Sequence, residues 1–204
     1  MLEFDDCDDA WVGCNPADRW IFNKLELSTR LGYTCGPAGV DAPSPGSYIV
    51  RPCINLLGMG RNAEFMEIEE DTDHLPPGTF WCEIFEGNQY TVDFVEGKQA
   101  NCLQAFRAKE NPLYKFDKWQ VVDKSFQYPQ ILHTLVGDYK TINVEFIEDK
   151  IIEVHLRGNP DLKHKRDVFY PVWDENVKIP EGFMFVEDNY YKRKGFIVKN
   201  ETNT

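Results

Sequence analysis

The stretch TINVEFIEDKIIEVHLRGNPD, residues 141–161, alternates apolar and polar residues in a pattern that predicts a β-hairpin. Successive residues of a strand point to opposite faces of the sheet. Five apolar side chains then fall on one face of the hairpin: Val144, Phe146, Ile152, Val154 and Leu156. We expect these five to be buried together, because a slip of one residue would turn one strand's apolar set into water.

The shared apolar face predicts the register of the hairpin. It implies a three-residue connection, residues 148–150, and pairs Glu145 with Glu153 and Asn143 with His155. The face opposite the apolar one therefore carries two carboxylates directly across from each other.

Two carboxylates in that position repel each other. A hard divalent cation such as Mg²⁺ would neutralise them, because it takes one or two carboxylate ligands and completes its shell with water and phosphate. The alternative is a solvated strand face on which Arg157 and Lys150 balance Glu145 and Glu153.

The composition is that of an ordinary globular protein with 204 residues, of which 42% are hydrophobic. A formal net charge of -12 opposes nucleic-acid binding, so nucleic acid is not an expected partner. The chain begins without a basic and apolar leader and contains no apolar run of about 18 residues, which predicts no membrane segment. Its six dispersed cysteines predict free thiols and a cytoplasmic location.

The remaining segments predict an α+β fold of mainly antiparallel hairpins with few helices. A helix is expected over residues 16–32, a Pro- and Gly-rich passage over 35–47 and a short helix over 128–138. Between them lie six strand-like segments, at residues 48–54, 63–68, 79–87, 89–97, 98–106 and 118–123.

The segment SYIVRPCINLLGMGRNAEF, residues 47–65, runs from one predicted strand to the next through Gly58 and Gly60. Glycines let backbone N–H groups approach an anion, and Arg51 and Arg61 suit phosphate. A plain hairpin turn is the alternative. Arg107, at the end of residues 98–106, would meet phosphate or lie on the surface.

Taken in order, these segments resemble the ATP-grasp superfamily of carboxylate ligases over residues 20–160. The helix that the family opens with Asp-Lys begins here with Asn23 and Lys24. GSYIVRP resembles the strand whose lysine grips nucleotide phosphate, with Arg51 in that position, and NLLGMGRNA resembles the glycine-rich flap. TFWCEIFEGNQYTVDFVEG resembles the strand and hairpin beside the adenine, with Glu83 as the ribose-binding glutamate and Asp93 on the hairpin.

The opening stretch resembles the end of the family's nucleotide site, which has an acidic residue on one strand and E-x-N-x-R on the next. Glu145 takes the first acidic position, and Glu153, His155 and Arg157 take the glutamate, asparagine and arginine positions. Imidazole is a poorer Mg²⁺ ligand than an amide oxygen and suits Mn²⁺ or Zn²⁺ better.

The resemblance implies two small lobes, at about residues 16–78 and 79–160, that enclose a nucleotide site, with residues 161–204 packed on them as a C-terminal extension. It implies an ATP- and Mg²⁺- (or Mn²⁺-) dependent ligase that activates a carboxylate as an acylphosphate for attack by an amine or thiol. We expect catalytic roles for Arg157 and Arg107, metal binding by Glu145, Glu153 and His155, and nucleotide binding by Lys24, Arg51, Gly58, Gly60, Arg61, Glu83 and Asp93.

Fewer than twenty residues precede the central helix, where the family has a domain that helps to bind the acid. The acceptor site for small-molecule carboxylate and amine substrates would then be completed by the C-terminal tail, by a protein partner or by a second copy of the chain. Two other hypotheses stay open: a non-catalytic nucleotide-binding or structural module with a degenerate fold, and a small metal-dependent hydrolase that uses His155, Glu145 and Glu153 as ligands.

Overall fold

The structure, a computed structural model, describes residues 1–54, 60–164 and 167–200. Helices are short in this part of the chain: α1 spans Cys7–Gly13, α2 spans Lys24–Arg30, and 3₁₀ turns span Pro16–Phe22, Gln130–Leu135 and Pro160–His164. The described residues contain twelve strands: β1 Cys35–Pro37, β2 Gly46–Pro52, β3 Glu64–Ile68, β4 Thr79–Cys82, β5 Gln89–Val95, β6 Lys98–Phe106, β7 Lys118–Val121, β8 Thr141–Ile147, β9 Lys150–His155, β10 Val168–Val172, β11 Phe183–Tyr190 and β12 Arg193–Lys199.

The strands form two sheets, and the strand pairs in both are antiparallel. The smaller sheet has the order β1-β4-β2-β3, and the larger has the order β11-β12-β10-β7-β6-β5-β8-β9. The smaller sheet includes β4, so it reaches past the lobe boundary expected near residue 78. The C-terminal strands β10, β11 and β12 continue the larger sheet beyond β7.

The helix expected over residues 16–32 is divided in two at Asn23. Its side chain accepts a hydrogen bond from the backbone N–H of Glu26 at 3.1 Å and caps α2. Asparagine favours such caps over helix interiors, because its amide competes for nearby backbone groups. The preceding residues form a 3₁₀ turn that carries Pro16 at its start.

The hairpin of residues 141–161 has the expected pairing at its polar end, where Glu145 lies opposite Glu153 and Asn143 opposite His155. The three-residue connection is wrong, because Ile147 pairs with Lys150 and the turn between them has two residues. A bulge beside Phe146 absorbs the difference of one residue, and Ile152 is the extra residue.

The bulge changes which isoleucine enters the core. Ile151, rather than Ile152, is buried with Val144, Phe146 and Val154. Ile152 instead turns toward the cavity described below. A bulge of this kind re-aims a side chain beside a site without changing the pairing on either side.

The two faces of the larger sheet have different roles. One face is apolar and packs against α1, α2 and the first two 3₁₀ turns, with Ile21, Phe22, Leu27 and Leu132 in the shared core. The other face is polar on β5, β8 and β9 and becomes apolar on β6, β7, β10 and β12. A second core covers that apolar part, formed by Leu103, Ala105, Phe116, Trp119, Phe169, Phe196 and Val198.

The smaller sheet has a core of its own, centred on Tyr48, Val50 and Trp81. The indole N–H of Trp81 donates to the backbone oxygen of Val40 at 2.8 Å, which fixes the loop that follows β1. In the described part of the chain, no helix combines the length and the apolar character needed to cross a membrane. An α+β fold with mainly antiparallel sheets and few helices, as expected from the sequence, is confirmed.

Candidate functional site

A cavity of about 670 Å³ lies between the two sheets, over the polar face of β5, β8 and β9. The smaller sheet contributes Ile49, Arg51 and Cys82 to its wall, and the C-terminal hairpin contributes Tyr190 and Arg193. A cavity of this size is within the range that holds small molecules and cofactors, about 300–1,000 Å³.

Glu145, Glu153 and His155 bring three potential metal ligands together on the wall of this cavity. The imidazole Nε2 lies 3.6 Å from Oε1 of Glu145 and 3.5 Å from Oε1 of Glu153. These separations exceed normal hydrogen-bond lengths of about 2.7–3.2 Å. Two ligands about 2.1 Å from one ion lie about 3.0 Å apart at a right angle and about 3.4 Å apart at a tetrahedral angle. The two separations from the imidazole are close to the tetrahedral value, and the three ligand atoms lie within 4.8 Å of one another, which suits a small divalent ion.

Each of the three groups is oriented by a neighbouring side chain. Lys24 Nζ lies 2.9 Å from Oε2 of Glu153, and Nε2 of Gln89 donates to Oε2 of Glu145 at 3.3 Å. Both carboxylates thereby keep Oε1 turned toward His155. On the other side of the imidazole, Nδ1 lies 3.4 Å from Sγ of Cys7. Neighbours that hold the far atom of each ligand are a usual feature of metal sites.

The charges in this cluster are balanced by cations of the chain itself. Burial alone would raise the pKa of Glu153, but Lys24 and His155 lower it to about 2. Burial and Arg157 act to lower the pKa of His155, and Glu153 with Cys7 raise it to about 9. The repulsion that the paired glutamates would suffer is thus relieved in the metal-free chain by Lys24 and the imidazolium of His155.

Cys7 also has an unusual environment for a buried thiol. Burial acts to raise its pKa, yet His155 and Arg157 together lower the pKa below the ordinary value. The Nε–H of Arg157 donates to Sγ at 3.2 Å. Cys7 thus contacts both the candidate metal ligand and the candidate catalytic arginine.

Four arginines line the cavity without an ion-pair partner among the described residues: Arg51, Arg61, Arg107 and Arg157. Lys24 and Arg193 also line it but are paired with carboxylates. The whole chain has a net charge of -12, with 34 acidic residues available to pair with cations. Unpaired guanidinium groups gathered around one cavity indicate a site for an anion with several charged oxygens.

Arg51 is the most deeply buried of these four cations, with 7% of its surface exposed. Its Nη1 donates to the backbone oxygen of the bulged Ile152 at 3.1 Å, and its guanidinium lies 5.1 Å from the ring centre of Phe80. Its Nε is buried without a hydrogen-bond partner, and burial lowers the pKa of the guanidinium. Orphaned polar atoms of this kind are rare in folded proteins, and this one belongs to a residue that lines the cavity.

Arg61 and Arg107 are held by contacts that leave their charge available. The guanidinium of Arg61 lies 4.0 Å from the ring centre of Tyr191, and its Nε is also buried without a hydrogen-bond partner among residues 1–54, 60–164 and 167–200. The Nη1–H of Arg107 donates to the backbone oxygen of Asn111 at 2.7 Å. Because Arg61 belongs to the segment before β3 and Tyr191 to the C-terminal hairpin, this contact joins the two sheets across the cavity.

The other expected nucleotide-binding residues are placed differently from one another. Glu83 lines the cavity, and its Oε1 accepts from the backbone N–H of Thr34 at 2.7 Å. Gly60 lines it as well, with a positive φ of 57°. Gly58 lies outside the described residues.

Asp93 is buried behind the cavity wall instead of lining it. Its Oδ1 accepts from Nδ2 of Asn143 and from the backbone N–H of Asn159, each at 2.9 Å. Burial raises the pKa of this carboxyl group. Asp93 thus supports the strand that carries Glu145 and the turn that follows Arg157.

The C-terminal strands form one wall of the cavity, which includes Pro171, Trp173, Tyr190 and Arg193. Arg193 is 6% exposed, and its guanidinium lies 3.0 Å from Asp161 and 3.5 Å from Asp188. This ion-pair network fixes the hairpin of β11 and β12 against the turn after β9.

Several residues of the site carry no recognisable sequence signal. Cys7 stands in an acidic N-terminal segment, and Gln89 only faces Glu145 because β5 pairs with β8, a pairing that the sequence pattern does not specify. Asn143 was visible on the polar hairpin face, but its partners Thr91 and Asp93 depend on the same pairing.

Comparisons with known proteins give a structural likeness without a sequence match. No protein-family model and no curated protein sequence matches the chain. Among solved structures, carboxyaminoimidazole ribonucleotide synthase from Aspergillus clavatus, complexed with ATP, is similar with a TM-score of 0.52 at 9% identity, over 89% of this chain and 69% of that one. N5-carboxyaminoimidazole synthase of the same organism, in complex with ADP and 5-aminoimidazole ribonucleotide, gives a TM-score of 0.52 at 9% identity, over 95% of this chain and 73% of that one.

A protein of Archaeoglobus fulgidus that carries an ATP-grasp superfamily assignment is similar with a TM-score of 0.47 at 13% identity, over 89% of this chain and 64% of that one. The chain thus spans less than two thirds of the Archaeoglobus protein. At such low identities the likenesses concern the fold alone. The chain has an ATP-grasp-like fold, as its motifs predict.

Proposed function

We propose that this protein is an ATP- and divalent-metal-dependent ligase that activates a carboxylate as an acylphosphate, which an amine or thiol then attacks. The observation that carries the proposal is Arg51, a buried cation with an orphaned Nε in a cavity that three more unpaired arginines line. A triphosphate offers the several anionic oxygens that such a set of cations matches.

In this proposal Arg51 and Arg61 bind the phosphates from the side of the smaller sheet. Arg157, two residues after the end of β9, holds the γ-phosphoryl group as it moves to the substrate carboxylate, and Arg107, directly after β6, assists. Glu83, whose Oε1 accepts from the backbone N–H of Thr34, binds a ribose hydroxyl with its other carboxylate oxygen. Preorganised cations of this kind stabilise phosphoryl transfer by electrostatics.

Glu145, Glu153 and His155 would hold a divalent ion, which when bound would neutralise phosphate charge. Lys24 and Gln89 keep the ligand oxygens turned toward the ion position. The C-terminal wall with Trp173, Tyr190 and Arg193 would form the acceptor side of the cavity, alone or with a protein partner or second copy. A cytoplasmic location is supported by the six free cysteines.

The test is ADP release by the full chain with Mg²⁺ or Mn²⁺ and a panel of carboxylates and amines, for wild type and Glu153→Gln. We expect turnover with at least one acid–amine pair and a loss of at least about a hundredfold in the variant, because a charged ligand is removed while the volume is kept. Equal ADP release by both proteins would refute the ligase assignment.

A second candidate is a non-catalytic nucleotide-binding module, favoured by the way Lys24 and His155 already neutralise the paired glutamates. In that case ATP with Mg²⁺ would raise the melting temperature, because a ligand that binds only the native state stabilises it by mass action. No ADP would appear with any acid. A melting temperature that no nucleotide changes would count against both candidates.

A further inference from the structure

Cys7 is the first residue of α1 and is 5% exposed. The start of α1 is capped by Asp6, whose side chain accepts a hydrogen bond from the backbone N–H of Asp9 at 2.8 Å, and this cap fixes the backbone at Cys7. From this position Sγ lies 3.4 Å from Nδ1 of His155. Helix α1 therefore places Sγ of Cys7 beside Nδ1 of His155, and Nε2 of the same imidazole lies near the glutamates.

This contact decides what His155 presents to the cavity. A neutral imidazole carries its proton on one nitrogen and accepts or binds a metal with the other. When Nε2 binds a metal in place of a proton, the imidazole keeps its remaining proton on Nδ1, where Sγ of Cys7, which also accepts from Arg157, is positioned to accept it. The lone pair of Nε2 is then left facing the Oε1 atoms of Glu145 and Glu153, at 3.6 and 3.5 Å.

The same sulfur also holds Arg157, whose Nε–H donates to it at 3.2 Å. The Nη1–H of Arg157 donates to the backbone oxygen of Gly158 at 2.8 Å, so the guanidinium plane is held at two points. One side chain on α1 thereby orients His155, the last residue of β9, and Arg157, two residues after the strand ends.

We propose that Cys7 is a positioning residue that presents Nε2 of His155 to a divalent ion, and that the site consequently prefers a first-row transition ion such as Mn²⁺ to Mg²⁺. This rests on the metal site of the proposed function. Mg²⁺ takes oxygen ligands almost throughout, whereas imidazole nitrogen suits transition ions. A site with one nitrogen and two carboxylate ligands, each oriented by a neighbouring side chain, favours the transition ion.

The experiment measures binding of the metal alone to the full-length protein. Free Mn²⁺ is followed by its electron paramagnetic resonance signal, and Mg²⁺ is added as competitor. We expect Mn²⁺ to bind more tightly than Mg²⁺ to wild type, and Cys7→Ala to weaken Mn²⁺ binding by about ten- to a hundredfold, the usual loss when such a supporting hydrogen bond is removed. Mg²⁺ affinity should change less, so the ratio of the two affinities falls.

Two further variants separate positioning from general damage. Cys7→Ser keeps a hydrogen-bond acceptor and should recover part of the Mn²⁺ preference, which also serves if Cys7→Ala does not fold. His155→Asn should shift the preference toward Mg²⁺. Cys14→Ser is the matched control, because Cys14 is a buried cysteine that directly follows α1 and whose thiol donates to the backbone oxygen of Trp11.

The inference is overturned if wild type binds Mg²⁺ as tightly as Mn²⁺, or if both Cys7 variants bind Mn²⁺ like wild type. Its failure differs from failure of the ligase proposal. A Mn²⁺ preference that depends on Cys7 in a protein without ADP release would leave the inference standing and refute the ligase. ADP release with an affinity ratio that Cys7 does not affect would do the reverse.

Discussion

The buried charge of Arg51 is expected to favour ligand binding while lowering the stability of the ligand-free protein. A buried charge without a partner costs free energy, because the low-dielectric interior does not replace the lost hydration. Within the described residues Arg51 has one backbone hydrogen bond and a contact with the ring of Phe80, and no ion pair. Under the proposed function, the phosphates of a bound nucleotide would supply the missing negative charge.

We therefore predict that Arg51→Met will leave the melting temperature of the nucleotide-free protein unchanged or raise it. Methionine fills similar volume and removes the desolvated charge, and a gain of about 1 kcal/mol would raise the melting temperature by about 2–4 °C in a chain of this size. The increase caused by ATP and metal should disappear in the same variant. Thermal melts with and without nucleotide measure both effects.

Arg193→Met is the matched control, since Arg193 is equally buried but pairs with Asp161 and Asp188. Removing one member of a buried ion-pair network costs about 3–5 kcal/mol, so this variant should melt well below wild type. If Arg51→Met is as destabilising as Arg193→Met, Arg51 has a structural role and the argument for an anion site fails.

Individual elements could be predicted to different extents. The pairing of Glu145 with Glu153 followed from the alternation of apolar residues, because burial of one face leaves a single register. The turn was wrong by one residue, since alternation does not reveal a bulge: Ile151 and Ile152 are equally apolar and either could face the core. The two-residue turn, which pairs Ile147 with Lys150 and Phe146 with Ile151, leaves Ile152 as the residue that turns away from the core.

The side chains that contact the candidate metal ligands from neighbouring elements could not be predicted either, and the reason is different. Cys7 reaches His155 across 148 positions of sequence, and Gln89 reaches Glu145 across 56. Such contacts depend on how α1 and β5 pack, and no local pattern records that packing. The family resemblance added roles for Arg51 and the acidic pair, which the residue pattern had already singled out, but it had no counterpart for side chains such as Cys7 and Gln89.

The hairpin of β11 and β12 contains the tightest glycine site in the larger sheet. A Cβ on Gly195 would lie 2.2 Å from the backbone oxygen of Val186 and 2.8 Å from the ring of Phe185. We predict that Gly195→Ala will destabilise the protein by about 1–3 kcal/mol, because the two strands would have to separate. Urea denaturation measures the loss.

Gly46→Ala provides the comparison for that prediction, because its added Cβ would meet only the ring of Tyr48, at 3.9 Å. Gly46 also lies at the start of a strand, and we expect a change within about 0.5–1 kcal/mol. Equal losses in the two variants would show that the close approach of β11 to β12 is not what limits position 195.

At the scale of the whole molecule, the C-terminal strands belong to the larger sheet and do not form a separate layer. β10 pairs with β7, and the second core joins Leu103 and Trp119 on the central strands to Phe169, Phe196 and Val198 on the C-terminal ones. The same strands supply the wall of the cavity that faces Arg61 and Arg107. Folding of the C-terminal region and completion of the site are therefore one event.

We predict that a chain ending at residue 160 will not fold cooperatively, although it holds every residue for which a nucleotide or metal role is proposed. Loss of residues 161–204 would expose the edge of β7 and the aromatic side chains of Phe116 and Trp119 to water. Near-ultraviolet circular dichroism and gel filtration should show lost tertiary structure and association.

A milder test keeps the chain whole: Phe196 is fully buried and packs edge-on against Phe169 at 5.3 Å, so Phe196→Ala should cost about 3–5 kcal/mol. A truncated chain that melts in one transition and is stabilised by ATP would instead make residues 1–160 the complete nucleotide-binding unit.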